Sequence, residues 1–202
     1  MELLTFAHKS EYKNILNFTR VIKTDKIDKN IVLMELECKN KKLHLLQTGI
    51  GRYSTAKALD HYLQKHTPEI IYNFGTAGAL NDNLKILEIV KVKNVFLEKE
   101  PKPLTVSIYK NINGKTVNLL TVAKPIINSA KKNKINTQNK YDVADMESYF
   151  IAEKAIENKI PINIIKIISD NANGNTIISF KKNLKKCSEL LGNIIKDNWL
   201  LL

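Results

Sequence analysis

This sequence contains few of the residues that mark disulfide-rich or membrane-spanning chains. It has 2 cysteines, 7 glycines and 5 prolines among its 202 residues. Cys38 and Cys187 are far apart and form no CxxC pair, so neither a disulfide framework nor a cysteine metal site is predicted. No run approaches ~18 apolar residues, and polar residues interrupt the start of the chain before a signal-peptide pattern can form. We therefore expect a cytoplasmic protein with no membrane association.

Metal-ligand spacing is also missing among the four histidines. They are His8, His44, His61 and His66. The sequence accordingly predicts no metal site and no cofactor.

Arginine is nearly absent, although the net charge is +12. Arg20 and Arg52 are the two arginines, so the bidentate forks that recognise phosphate or guanine are scarce. The lysines are dispersed, often beside asparagine, as in residues 131–134. This pattern favours a solvated basic surface over a nucleic-acid site, with a weak polyanion site as the alternative.

The composition that remains is that of an ordinary globular protein, with 44% hydrophobic and 26% charged residues. A chain of this length buries about 70% of its unfolded surface and needs no disulfide or metal to fold. No repeat, long linker or low-complexity tail divides it. We expect one domain over residues 1–202.

Strand-like and helix-like segments alternate along much of the chain. Strands are predicted at 2–7, 31–37, 42–48, 69–74, 86–96, 104–110, 116–123 and 162–168, with a turn at 39–41. Helices are predicted at 10–18, 52–66, 144–158 and 177–200, the first with Ser10 as its N-cap. The alternation predicts an α/β fold with a largely parallel sheet.

Two acidic motifs lie at the edges of apolar segments. Asp170 ends an almost continuously apolar strand, which is where ligands meet open α/β sheets. Glu147 lies near the start of a predicted helix, and Glu11 lies in the first predicted helix. Each also has a purely structural interpretation: Asp170 as the cap of a turn, Glu147 as a partner of the helix dipole, Glu11 as a solvated residue.

Glycines follow two of the predicted strands, at 49–51 and 75–79. Such segments let the backbone approach a ligand closely, or they simply make tight turns. Neither segment matches GxGxxG or GxxxxGK[ST], so dinucleotide and P-loop sites are poor interpretations.

Four segments, in this order, resemble the nucleoside phosphorylase/nucleosidase superfamily, in particular the 5′-methylthioadenosine/S-adenosylhomocysteine nucleosidases. They read TGIGRYSTAKAL, IIYNFGTAGAL, DMESYFIAEKA and IKIISDNAN. The resemblance covers about residues 5–180. It implies a single-domain three-layer α/β/α fold with a mixed, largely parallel central sheet. It also implies a small-molecule purine nucleoside as substrate, and a homodimer.

By this resemblance, Asp170 would be the general acid that protonates the purine at N7. Glu147 would bind the ribose 2′- and 3′-hydroxyls, and Glu11 would activate the attacking water. Thr76 and Lys166 stand where the family places residues that position this water. An acid that protonates the leaving base contributes typically 10²–10⁴-fold to such a reaction.

The resemblance also implies a set of substrate-binding residues. They are Ala77 and Gly78 at the base, Met146 against the sugar, Ser169 beside Asp170, and Phe180 near the ribose and 5′ group. Ile126, or a neighbour in 122–127, would replace the family's base-stacking phenylalanine, and His8 replaces an apolar residue near the 5′ group. The stretch 95–115 is shorter than in the family.

Three functions remain open from the sequence. A hydrolase is favoured, because a phosphorylase needs cationic groups for phosphate and Arg52 is the one arginine near a glycine segment. A phosphate-dependent purine nucleoside phosphorylase is the first alternative. A catalytically degenerate nucleoside-binding relative is the second, suggested by the altered 122–127 and 95–115 segments.

Overall fold

A single mixed β-sheet of ten strands organises the chain in the computed structural model, which describes residues 1–39, 41–100, 102–109, 111–137 and 140–200, except the side chains of 199 and 200. The strands are β1 (Leu3–Phe6), β2 (Arg20–Asp28), β3 (Ile31–Cys38), β4 (Lys41–Gln47), β5 (Ile71–Ala79), β6 (Ile89–Leu97), β7 (Leu104–Thr105), β8 (Lys115–Thr121), β9 (Val143–Asp145) and β10 (Ile162–Asp170). Within the described residues, five strand pairings are parallel and five are antiparallel, so the sheet is mixed as predicted but is not largely parallel.

Five strands of this sheet close into a ring. β5 pairs with β10, and the ring continues through β6, β8 and β9 back to β5. From β5 the sheet extends outward through β1, β4, β3 and β2. The parallel strands β1, β5 and β10 therefore lie side by side, with β5 in the middle, and their carboxyl ends meet at one edge.

Helices cover both faces of the sheet. They are α1 (Lys9–Tyr12), α2 (Gly51–Leu63), α3 (Ser129–Ile135), α4 (Ser148–Glu157) and α5 (Thr176–Ile195), with a short 3₁₀ helix at Ile15–Asn17 and a π-helical turn at Lys196–Leu200. None of the helices within the described ranges is both long enough and apolar enough to span a bilayer.

The two larger of three hydrophobic cores lie on opposite faces of the sheet, because successive strand side chains point to opposite faces. On β1, Leu3 packs with α2 and α4 in one core, whereas Leu4 and Phe6 pack with α1 and α5 in the other. On β10 every residue is buried, as the continuously apolar sequence of a central strand predicts. The prediction of an α/β fold with helices on both faces of a mixed sheet is confirmed.

Several predicted element boundaries are wrong. The first helix is a single turn capped by His8, not by Ser10, and it ends at Tyr12. Residues 75–79, expected to turn, continue β5 because β10 and β9 hydrogen-bond to it there. The helix expected from residue 144 begins at Ser148, since 143–145 form β9.

Other elements were missed or overextended. The sequence showed no apolar face for β2, and its side chains are mostly exposed at the sheet edge. The short basic helix α3 was also missed. Of the strand expected at 104–110, the described residues 104–109 form a strand only at Leu104–Thr105, and residue 110 lies outside the described residues. Asn40, in the turn predicted at 39–41, lies outside the described residues.

Candidate active site

A cavity of about 250 Å³ opens where the carboxyl ends of β1, β5 and β10 meet. Its wall includes all twelve residues that the sequence predicted for the site. They are His8, Glu11, Thr76, Ala77, Gly78, Ile126, Met146, Glu147, Lys166, Ser169, Asp170 and Phe180. Residues from both halves of the chain therefore converge on one volume.

Glu11 is held by four hydrogen bonds. Its Oε2 accepts from the backbone N–H groups of Ala7 and His8, at 3.1 and 3.2 Å. Its Oε1 accepts from the backbone N–H and the hydroxyl of Thr76, at 2.9 and 3.0 Å. The bond to His8 is half of a capping box at the start of α1. The Glu11 carboxyl group therefore both caps this helix and lines the cavity.

The two glycines of the 75–79 segment make room for carboxyl and ammonium groups. A Cβ on Gly78 would lie 2.8 Å from Asp170 Oδ1, and a Cβ on Gly75 would lie 3.0 Å from Glu11 Oε1 and 3.4 Å from Lys166 Nζ. A larger residue at either position would displace these groups. The glycines therefore serve close approach of side chains and not the tight turn that was the alternative.

Glu147 lies buried at the N-cap of α4. Its Oε1 accepts the backbone N–H of Gly51 at 2.9 Å, which joins the glycine segment at 49–51 to the acidic segment at 145–148. Burial, reinforced by the nearby charge of Asp145, raises the pKa of Glu147 to about 8; Lys166 and the Gly51 bond oppose this shift. The residue does not simply stabilise the first turn of α4, because its side chain makes no capping bond there.

Asp170 is tied down through both carboxylate oxygens. Its Oδ1 accepts the backbone N–H of Ala172 at 2.9 Å and lies 3.2 Å from the Thr176 hydroxyl. Its Oδ2 accepts the Ser169 hydroxyl at 2.8 Å. Ala172 has a positive φ of 49°, a sparsely populated conformation for a non-glycine residue, in the turn that follows Asp170.

Asp145 also lines the cavity, although the sequence analysis assigned it no role. It forms a buried ion pair with Lys166, whose Nζ lies 3.1 Å from its Oδ2. It also accepts hydrogen bonds from the Thr121 hydroxyl at 2.8 Å and from the backbone N–H and hydroxyl of Ser148. A buried lysine demands such a partner. The signal in the sequence was a lysine inside an apolar strand, which requires an acid nearby.

The carboxyl groups of the cavity have different neighbours. Ala172 and Ile126 lie beside Asp170, because Asp170 Oδ1 accepts the Ala172 N–H and faces the Thr176 hydroxyl, which also contacts the Ile126 carbonyl. Ala7 and His8 lie beside Glu11, and Gly51, which follows Ile50, donates to Glu147. A ligand with an apolar flat part and a hydroxylated part fits this division.

Charge in the cavity is strongly asymmetric. Among the described residues of its wall, four carboxyl groups face a single lysine or arginine, Lys166. Arg52 is not part of the wall; its guanidinium lies 5.5 Å from the centre of the Phe150 ring. Nor do the described residues bring three histidine, cysteine or acidic side chains into an arrangement that could hold a metal ion.

A cavity lined by carboxyl groups at the carboxyl ends of parallel strands is typical of α/β enzymes that bind small molecules. Sequence comparison identifies the family. The model of the phosphorylase superfamily matches residues 3–107, more than half of the chain. The chain belongs to the phosphorylase superfamily.

Individual relatives agree with this assignment. The 5′-methylthioadenosine/S-adenosylhomocysteine nucleosidase of Staphylococcus epidermidis is 27% identical over 176 residues, and the match covers 74% of this chain and 77% of that protein. The enzyme of the same name from Neisseria meningitidis, solved with methylthio-immucillin-A, superposes with a TM-score of 0.86 at 17% identity and covers 96% of both chains. Futalosine hydrolase of Helicobacter pylori superposes with a TM-score of 0.85, also at 17% identity, over 96% of this chain and 94% of that one.

Proposed function

We propose that this protein is a purine nucleosidase. It hydrolyses the N-glycosidic bond of a 5′-modified adenosine such as 5′-methylthioadenosine or S-adenosylhomocysteine. The observation that carries the proposal is the convergence of Glu11, Glu147 and Asp170 on one cavity. The names of the relatives support the substrate class.

Asp170 is assigned the role of general acid at the base. Breaking the glycosidic bond leaves the electron pair on the purine, and a proton delivered to N7 neutralises that charge. Gly78 makes room for this acid, because a Cβ there would lie 2.8 Å from Asp170 Oδ1. Ile126 and its apolar neighbours offer the flat base an aliphatic surface in place of an aromatic ring.

Glu147 and Glu11 are assigned to the ribose and the water. Glu147 can accept hydrogen bonds from the 2′- and 3′-hydroxyls, and in its ionised form it stabilises the positive charge that develops on the sugar ring. All four hydrogen bonds of the Glu11 carboxyl group are donated to it, as expected for an ionised carboxylate that can take a proton from water. Thr76 binds Glu11 directly, and the Lys166 ammonium lies on the same side of Gly75.

The charge of the cavity favours hydrolysis over phosphorolysis. Inorganic phosphate would enter a volume with four carboxyl groups and one ammonium that is already paired with Asp145. Phosphate binding needs several donors or cations that face the anion. Water has no such requirement, and the arginine considered from the sequence, Arg52, lies outside the wall.

A nucleoside panel tests the activity. Purified protein is incubated with methylthioadenosine, adenosylhomocysteine, adenosine and inosine, with and without inorganic phosphate, and free base is measured by chromatography. We expect adenine from the 5′-modified adenosines at equal rates with and without phosphate. Release only with phosphate would make the protein a phosphorylase. Saturable nucleoside binding without base release would make it a degenerate binder, and salt-sensitive binding to nucleic acid would support the polyanion alternative.

We also propose that the protein is a homodimer and acts in the cytoplasm. Support for the dimer is the exposed apolar surface beside the cavity, where Ile50 is 58% and Tyr53 79% exposed. Light scattering should give about twice the 23.0 kDa chain mass. A monomer at micromolar concentration would contradict the dimer, and cell fractionation tests the location.

A further inference from the structure

The hydroxyl of Thr176, at the first turn of α5, lies between two acceptors. Asp170 Oδ1 is 3.2 Å away and the backbone carbonyl of Ile126 is 3.0 Å away. The same oxygen accepts the backbone N–H of Asn173 at 2.8 Å. A threonine hydroxyl has one proton, so it donates to the carboxylate or to the carbonyl at any moment, but not to both.

The bonds around Asp170 decide where its transferable proton lies. Oδ1 already accepts the N–H of Ala172, and its second lone pair faces Thr176. Oδ2 faces the Ser169 hydroxyl, which has the backbone carbonyl of Ala77 as a second acceptor at 3.3 Å. When Asp170 is protonated, the proton therefore belongs on Oδ2, and the neighbouring hydroxyl can turn to its carbonyl.

We propose, on the basis of the function proposed above, that Thr176 is a positioning residue whose hydroxyl stabilises Asp170 selectively after the proton has left. The proton on Oδ2 moves to purine N7, and the C1′–N9 bond breaks with its electron pair going to the base. Water bonds to C1′ and gives its proton to Glu11. Asp170 is left as a carboxylate. The Thr176 proton then turns from the Ile126 carbonyl to Oδ1, where the new negative charge strengthens the bond.

The rotation of the Thr176 hydroxyl couples the ionisation of Asp170 to the hydrogen bonding of Ile126. Ile126 belongs to the apolar wall beside Asp170, and its carbonyl has Thr176 as a donor while the acid is protonated. The carbonyl gives up that donor when the acid ionises. Because the stronger bond forms only as the reaction proceeds, it acts on kcat and contributes little to the binding of substrate.

The test compares Thr176→Val with Thr176→Ser, using methylthioadenosine as substrate. Valine keeps the shape and removes the hydroxyl, so we expect kcat to fall about 10- to 100-fold with KM within about threefold of wild type. Serine keeps the hydroxyl and should restore kcat to within about threefold. The matched control is Thr19→Val, which removes a threonine-to-carbonyl bond of 3.0 Å outside the cavity wall and should leave kcat unchanged.

The outcomes separate this inference from the proposed function. A Thr176→Val protein with wild-type kcat overturns the inference alone, and so does a serine variant as impaired as the valine variant. A wild-type protein that releases no base removes the proposed function and the inference together. If the valine variant does not fold, Thr176→Ala supplies the hydroxyl-free protein for the same comparison.

Discussion

Replacing Asp170 by asparagine should abolish measurable turnover while the protein stays folded. The amide keeps the size of the side chain and can still accept the Ala172 N–H, so the loop after β10 retains its main anchor. It has no acidic proton to give to the base. Loss of a general acid costs typically 10²–10⁴-fold, and we expect kcat for adenine release to fall within or beyond that range.

The measurement is kcat by chromatography together with the thermal midpoint of unfolding. Asp25→Asn is the matched control, because Asp25 pairs with Lys23 on the exposed strand β2, far along the sheet from the cavity. The control should turn over substrate at the wild-type rate. An Asp170→Asn protein as active as this control would remove Asp170 from the role of acid.

Replacing Glu147 by glutamine should impair catalysis and stabilise the protein. The folded-state pKa of about 8 lies above the ordinary value of 4.5, so the folded protein binds this proton more tightly than the unfolded chain does. The contribution of Glu147 to stability is therefore fully present below pH 4.5 and is lost as the pH rises towards 8. Glutamine is neutral at every pH, so it takes up no proton on folding, and it can still accept the Gly51 N–H.

We expect the glutamine variant to gain up to about 3 kcal/mol in unfolding free energy at pH 7 relative to wild type. The gain should vanish below pH 4.5, and it should be accompanied by a loss of kcat/KM on the order of 10²-fold. Denaturant unfolding at pH 4, 6, 7 and 8 measures the first effect. A gain that is equal at pH 4 and pH 8 would show that the buried charge is not its cause.

Glu157→Gln is the control for this second prediction. Glu157 lies on the same helix, its side chain is 57% exposed, and it lies 3.6 Å from Lys154. Exposed ion pairs contribute little to stability, so its substitution should change the unfolding free energy by less than about 1 kcal/mol at any of these pH values. Catalytic activity should also be unaffected, since Glu157 is not part of the cavity wall.

The sequence predicted an element well when the polarity pattern of that element's own residues was sufficient to reveal it. β10 was found because its residues are apolar on both faces, which is the pattern of a strand covered on both sides. β2 was missed because an exposed edge strand has no apolar face to reveal it. The glycine segment at 75–79 reads locally as a turn, and only the two neighbouring strands make it part of β5.

The site showed the same division. Motif spacing and family resemblance named the twelve residues that the structure brings to one cavity, although their individual roles remain proposals. The partner of Lys166 could not be assigned from spacing, because Asp145 reaches it through the pairing of β9 with β5 and of β5 with β10. Neither could the position of Thr176 between Asp170 and the Ile126 carbonyl.

The sequence by itself determined the α/β class and the central strand, because each depends on the order and polarity of neighbouring residues, and its resemblance to a family named the acidic residues. Only the tertiary structure decided that five strands close into a ring with β5 between β1 and β10. That closure depends on pairings between residues far apart in the chain, such as Lys166 with Gly75. It places Glu11, Glu147 and Asp170 around one volume and sets the burial that raises the pKa of Glu147.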